Sequence, residues 1–404
     1  MGIKAFTRMA GLAAGLTAGA GAALAQTTYN FSTAVDFSGP FADVMGSWHS
    51  GHRAMVAWWN DTRGKEIGVK VDLKVHDTRY DTSVVARTWP EIVAKDKPVM
   101  HLGMGTPDLV ALMKRLPEDE IPMLMPTAMV ALVWAPKGWH YSFRPTYSHE
   151  FAALFSDMQG KLADKRALRI GTVSTQGRAG YEDQVKGVVK LAQTYPDRFV
   201  IADQQWVDDN PVNVTEQVRR MSAAKPDVIM IGATTAQVVA VAKGLKELGL
   251  TIPIASSSHN GLSEVAKVVP LADLEGSFSV FSFAPFNQAN LEARTVYEKY
   301  KSGDGTWGIV AAQSAAQTVL ALRSLENAIK KVGKDKVTGE AMYRALLETP
   351  VTEKDMLGLT PDLAFDNTRP FPSGKLRAKA VVVKGGALTP YTTDWMDVPA
   401  LEKW

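Results

Sequence analysis

The chain has 404 residues, 46% of them hydrophobic and 22% charged, with a formal net charge of +3 and no cysteine. One hydrophobic core rarely spans more than roughly 250 to 300 residues, so two α/β domains are expected. The lack of cysteine excludes disulfides, thiol catalysis, thiolate metal sites and a lipid-modified cysteine, and the near-neutral charge offers nucleic acid or anionic membrane no attraction.

The first 25 residues differ from the rest. Lys4 and Arg8 precede an uncharged stretch from Met9 to Leu24, and Ala23-Leu24-Ala25 has the small-x-small pattern a signal peptidase cuts. Residues 1–25 are therefore expected to be an export signal, cleaved after Ala25. A membrane anchor is disfavoured because the stretch is short and rich in Ala and Gly. Cleavage removes two cations and no acid, leaving a charge of +1 on a periplasmic chain. A core of this size needs no disulfide there.

From Tyr29 onward, short β-rich runs alternate with longer amphipathic ones, the pattern of strand-helix-strand units around mainly parallel sheets. Strands are expected at Phe31 to Phe37, Val69 to His76, Val99 to Met104, Met123 to Pro126, Leu168 to Ser174, Phe199 to Val207, Asp227 to Gly232, Ile252 to Ser256, Ser277 to Phe283 and Lys379 to Val383. The clearest helices are expected at Ala42 to Asn60, Ser83 to Ala94, Pro107 to Arg115, Glu150 to Met158, Tyr181 to Gln193, Val212 to Ala223, Ala236 to Leu248, Asn290 to Tyr300, Ile309 to Lys331 and Gly339 to Leu347. Gly64, Pro117, Pro196 and Gly249 mark helix ends. No repeat and no long linker divides the chain.

In open α/β sheets, ligands sit beyond the carboxyl ends of the strands, where helix N-termini present free N–H groups. The loops there are small and hydroxylic: Ser38-Gly39-Pro40, Gly103-Met104-Gly105-Thr106-Pro107, Pro126-Thr127-Ala128, Ser174-Thr175-Gln176-Gly177, Gly232-Ala233-Thr234-Thr235 and Ser256-Ser257-Ser258-His259. Thr106-Pro107-Asp108 reads as a helix start, with Thr as cap and Pro at the first helical position. Gly105 and Thr106 would also offer donors to a polar or anionic ligand.

No Gly-rich phosphate loop with a Lys follows any strand, and no G-x-S-x-G elbow occurs. His49 and His52 are spaced for a metal but lack a third ligand, so packing is the expected role. His259 is the histidine best placed for ligand contact, without a serine-histidine-acid set around it. Neither catalysis, a metal nor a cofactor is expected.

These residues together resemble the branched-chain amino-acid-binding type of periplasmic protein, the solute receptors of ABC importers. The resemblance spans the mature chain. It rests on Ala34-Val35-Asp36-Phe37-Ser38-Gly39-Pro40-Phe41-Ala42, a long helix ending Trp59-Asn60, Val71-Asp72-Leu73-Lys74-Val75-His76-Asp77-Thr78, Ile121-Pro122-Met123-Leu124-Met125-Pro126, Phe143-Arg144-Pro145 and Lys246-Glu247-Leu248-Gly249 before Ile252-Pro253.

The resemblance implies a type I periplasmic binding protein fold of two Rossmann-like lobes joined by three crossovers, near Phe143 to Thr146, Ser279 to Phe283 and Gly358 to Phe365. Lobe 1 would hold 26–143 plus 281–357, and lobe 2 144–280 plus 358–404, closing on a solute between them. Carried over loop by loop, the binding positions are Phe37, Ser38, Gly105, Thr106, Thr127, Ala128 and Met129 from the first lobe. Arg178, Tyr181, Thr234, Ser258, His259 and Phe283 come from the second. Amino-acid binders of the family hold the ammonium with an acid that this chain lacks in the Ser257-Ser258-His259-Asn260 loop, and a buried ammonium without a carboxylate is costly. Arg178 would instead favour a carboxylate-bearing solute, with aromatic acids among the candidates.

An amino acid, an amide or urea stay open as ligands, and so does a ligand-sensing role in place of transport. The implied partners are the solute and the membrane permease components of an ABC importer, with the receptor a monomer. Trp395 and Trp404 are expected to pack on the second lobe.

Overall fold

A computed structural model describes residues 1–2, 26–126, 138–401 and 403–404. Residues 3–25 of the expected export signal, with its cleavage site, lie outside the described residues, as do Thr127, Ala128 and Met129. The strands gather into two sheets.

The first sheet holds β1 (Thr27–Val35), β2 (Val69–Asp77), β3 (Met100–Leu102), β4 (Met123–Met125) and β5 (His140–Ser142) in the order β2-β1-β3-β4-β5. All of its pairings are parallel. Phe31 to Val35 of β1 are all buried, so both faces of the strand are covered, as in a parallel sheet packed on both sides. Helix α1 (Ala42–Trp59) lies against the long α2 (Ile309–Val332). The two approach closely at Gly51, where a Cβ would stand 2.0 Å from Ser314 Oγ and 2.6 Å from the Ala311 carbonyl oxygen. Only a residue without a side chain fits there.

The second sheet runs β12-β11-β10-β9-β8-β6-β7, with β13 on β11. These are β6 (Leu168–Ser174), β7 (Phe199–Trp206), β8 (Val228–Gly232), β9 (Ile254–Ser256), β10 (Phe278–Phe281), β11 (Arg377–Lys384), β12 (Ala387–Pro390) and β13 (Met396–Asp397). The pairings from β7 to β10 are parallel and those of β11 antiparallel. The α/β class and the two mainly parallel sheets agree with the expectation. Strand β1 starts earlier than expected, and β5, β12 and β13 are additions.

Strand order reverses at β1/β3 in one sheet and β6/β8 in the other, and at such switch points the flanking helices leave on opposite faces and open a crevice. The chain leaves β5 through Phe143 to Thr146 into the helix Tyr147–Lys161, which lies against the second sheet, and leaves β10 towards the helix Glu292–Tyr300, which lies on α1. It returns between Glu348 and Arg377, where Val351 bridges Leu363 and the Ala284 N–H meets the Leu359 carbonyl. The C-terminal segment lies on the second sheet and one of its helices: Trp404 Nε1 donates to Asp183 Oδ1 at 3.0 Å, and Lys379 of β11 sits over the Trp395 ring. Among the described residues, no helix is long and apolar enough to cross a membrane.

Candidate binding site

Where the carboxyl ends of the two sheets face each other, a narrow cavity of about 50 Å³ remains. One wall comes from the first sheet: Phe41, Val44, Met45 and Trp48 on and before α1, Tyr80 after β2, Met104 and Thr106 after β3, with Val310 and Gln313 of α2. The other comes from the second: Tyr147, Gly180, Tyr181, Asp183, Gln184 and His259.

Six of the lining side chains carry aromatic rings, three on each wall. Phe41 meets Tyr80 edge-on at 4.7 Å, and His259 lies 4.4 Å from Tyr147 and stacks on Tyr181 at 6.4 Å. Tyr80 reaches its place through an unusual turn, with Arg79 at φ 54° and Tyr80 at φ 51°. Side chains cost about 1 kcal/mol each in that region, and such strain gathers at ligand clamps. Burial raises the phenol pKa of Tyr80, Tyr147 and Tyr181, so all three keep their hydroxyl protons.

Behind Tyr147 stands a buried ion pair. Arg144 follows β5, and its Nε donates to Glu150 Oε1 at 2.8 Å while Nη2 meets Oε2. Nη1 donates to Ser258 Oγ at 2.9 Å, the guanidinium lies 4.6 Å from the Tyr147 ring centre, and the Ser282 N–H donates to Glu150 Oε1 at 2.6 Å. Two chain passages between the sheets and the serine loop are thereby joined at one point. Burial, helped by the Arg144 charge, pushes His259 down to about 3, so its ring is neutral at physiological pH.

Seven backbone donors at the described strand ends are taken by side chains of the protein itself. Asp36 accepts from the Phe41 N–H, Asp77 from Phe37, Asp108 from Met104 and Gly105, Glu182 from Gly177, Gln237 from Thr234 and Asn260 from Ser257. Asp108 is buried, which pushes its carboxyl up to about 6. Three buried polar atoms on the wall have no partner: Trp48 Nε1, Gln184 Oε1 and His259 Nε2.

A family model described as periplasmic binding protein matches residues 29–375, most of the chain. The chain belongs to the periplasmic binding protein family. No curated protein matches it in sequence. Among solved structures it is similar to a branched-chain amino acid ABC transporter protein from Thermus thermophilus with bound valine, at 19% identity and a TM-score of 0.75 over 91% of this chain and 96% of that one. It is also similar to an ABC transporter substrate-binding protein from Aeropyrum pernix, at 17% identity and TM-score 0.76 over 93% and 97% of the two chains. A third is a solute-binding protein of Rhodopseudomonas palustris in complex with 4-hydroxybenzoate, at 14% identity and TM-score 0.70 over 92% and 98%. At these identities the structures establish the type I periplasmic binding protein fold.

On this periplasmic binding protein, three of the positions singled out in sequence meet at the cavity: Thr106, Tyr181 and His259. Ser258 is buried beside it and held by Arg144. Gly105 is the residue before the helix Thr106–Leu112, so Thr106 is the first helical residue and not its cap, and the Gly105 N–H faces Asp108 and not a ligand.

The other described positions lie outside this cavity. Phe37 is 48% exposed and meets the His49 ring edge-on, and Ser38 donates to Asp77 at 3.0 Å. Arg178 is half exposed and paired with Asp209, its Nε 2.9 Å from the carboxylate, in a groove that adjoins the cavity along Tyr80, Thr106, Gly180 and Tyr181. Thr234 starts the helix Thr235–Glu247, its hydroxyl on Gln237. Phe283 is fully buried, stacked on Phe281. Neither Asp36 nor Glu264 reaches the cavity; Asp183 is the acid on its wall.

His52 lies between Thr33 Oγ1 and Gln317 Oε1, a packing role that joins β1, α1 and α2. No group of three potential metal ligands occurs among the described residues. The residues missed in sequence are Phe41, Trp48, Tyr80, Tyr147, Asp183 and Gln184. Only Tyr80, an aromatic three residues beyond a strand end, carries a usable signal.

Proposed function

We propose that this protein is the solute-binding component of an ATP-driven importer, delivered to the periplasm by residues 1–25, monomeric, and without chemistry of its own. Its solute is small and flat, with an aromatic or unsaturated body held between ring faces. The carrying observation is the ring-lined cavity between the two sheets, where Phe41, Trp48 and Tyr80 oppose Tyr147, Tyr181 and His259. Aromatic rings prefer stacked or edge-on partners, worth about 0.5 to 1.5 kcal/mol each beyond area burial. The similar Rhodopseudomonas palustris protein carries 4-hydroxybenzoate.

The absence of catalysis is supported by His259, whose Nδ1 partner is the Ser257 hydroxyl and not a carboxylate. A carboxylate-bearing solute rested on Arg178, which Asp209 engages outside the cavity. An amino acid is the second reading, favoured by Asp183 on the wall, although one of its oxygens already accepts from Trp404.

A thermal-shift screen of the purified protein against benzoates, benzamides, phenols, branched-chain amino acids and aliphatic amides tests this. A solute at about 100 times its Kd adds roughly 2.7 kcal/mol of stability. Aromatic compounds alone should raise the Tm; a rise confined to leucine or valine overturns the aromatic reading in favour of the second.

A further inference from the structure

The polar atoms around the cavity decide which end of a solute it accepts, and this inference rests on the cavity being the solute site. A periplasmic receptor that held a carboxylate through backbone donors would leave N–H groups free at the strand ends. Here those of Phe41, Met104, Gly105, Thr234 and Ser257 each point at an acceptor of the protein itself. Among the described residues no Lys or Arg lines the cavity. Ring faces carry partial negative charge and disfavour an anion further.

What remains unpaired has a definite sense. The amide nitrogen of Asn260 donates to the Ile231 and Ala233 carbonyls at 3.1 and 2.8 Å, which turns its Oδ1 towards Ser257. That oxygen accepts both the Ser257 N–H at 2.8 Å and the Ser257 hydroxyl at 3.2 Å. When the hydroxyl proton is assigned to that bond, the 2.6 Å contact between Ser257 Oγ and His259 Nδ1 takes its proton from the imidazole, the tautomer that the nitrogen-15 spectra below test. A neutral ring protonated at Nδ1 leaves Nε2 as a bare lone pair, and Nε2 is buried without a partner. The Gln184 amide nitrogen reaches the Gly180 carbonyl at 3.4 Å, so its unpartnered Oε1 is a second acceptor. The Trp48 indole N–H is the one unpaired donor among the three.

We infer that the polar end of the solute is a neutral hydrogen-bond donor, an amide or hydroxyl group, received by His259 Nε2 and Gln184 Oε1, with Trp48 Nε1 donating to its oxygen. A carboxylate would set its oxygens against two lone pairs. A primary amide offers two N–H donors and one carbonyl acceptor, which matches the two acceptors and one donor of the wall.

Matched ligand pairs differing only in this group provide the test: benzamide against benzoate, and isobutyramide against isobutyrate, titrated calorimetrically at pH 7.5. Whichever pair binds, the amide should win by about tenfold or more, because each buried acceptor left without a donor costs about 1 to 3 kcal/mol. In His259→Phe, which keeps a ring against Tyr147 and Tyr181, that ratio should fall by about tenfold; Gln184→Met provides a second variant should the first fold poorly. Binding of the aliphatic pair alone sinks the aromatic reading and leaves this inference standing if the amide still wins. A winning carboxylate, an unchanged ratio in both variants, or no binding of either pair overturns it. Nitrogen-15 spectra of the unliganded protein give an independent answer: the His259 Nε2 should be bare, and a proton found on it overturns the assignment.

Discussion

Two arginine-carboxylate pairs border the cleft, and they do opposite things. Arg144 and Glu150 are both fully buried where the chain passes between the sheets, and each is also tied to a serine. Arg178 and Asp209 are 49% and 39% exposed at the mouth, with water free to replace either partner. The chemistry of the two contacts is the same, so burial alone separates a structural fixture from a surface pair. An exposed pair contributes about 0 to 1 kcal/mol, whereas removing one member of a buried pair leaves a charge that nothing solvates.

That contrast can be broken most severely at Glu150. Glu150→Gln should cost about 3 to 5 kcal/mol in urea unfolding, and a loss under about 1 kcal/mol would show that water reaches the guanidinium. Replacing both partners, Arg144→Met with Glu150→Leu, should recover most of that loss, because the penalty belongs to the orphaned charge rather than to the missing bond.

Acid should act next in size. Burial holds His52, His101 and His259 down to about 3 and His49 and His149 to about 4, all below the ordinary 6.5. The unfolded chain therefore binds more protons, so stability is present above about pH 6.5 and is lost as the pH falls towards 4. Asp108, raised to about 6, works the other way: its contribution is present below its ordinary 3.8 and lost as the pH rises through 6. Burial raises Asp36, Asp43 and Glu150 in the same sense as Asp108. The five histidines set the sign, and the Tm should drop between pH 6.5 and 4.5; a flat profile there would mean the carboxyls cancel them or the histidines are hydrated.

The smallest effect belongs at the mouth. Arg178→Ala should change stability by less than about 1 kcal/mol and leave solute affinity within about twofold. A tenfold loss of affinity would bring Arg178 into the site after all.

The fold was legible because its signals are long. Alternating strand and helix periods marked ten strands, and the loops after them gave the place of the cleft. What escaped was β5, β12 and β13, of three, four and two residues, which unlike the equally short β3, β4 and β9 have no clear apolar run around them. The site was less legible for two reasons. Trp48 and Tyr147 read as core residues because nothing in a helical apolar face tells a wall from an interior, and Tyr80 depends on a left-handed turn at Arg79 and Tyr80 that no glycine announces. The second reason lies in spacing. Gly105 with Asp108, Thr234 with Gln237 and Ser257 with Asn260 are each three apart, a capping interval visible in the sequence. Read for what the loops offer, these segments suggested an anion site; read for what they already hold, they describe two closed helix ends and, at Ser257 to Asn260, a closed turn.

Trp48 also gives the cleft an optical property. The chain has ten tryptophans. The indole N–H groups of Trp59, Trp89, Trp307 and Trp404 are bound to Glu326, Asp119, the Phe286 carbonyl and Asp183. Trp48 carries the one buried indole nitrogen without a partner among the described residues, and it stands on the cavity wall. A solute oxygen arriving there changes the surroundings of that chromophore while leaving those four as they were. The protein's intrinsic emission then reports occupancy, and the cleft can be titrated by light without a label.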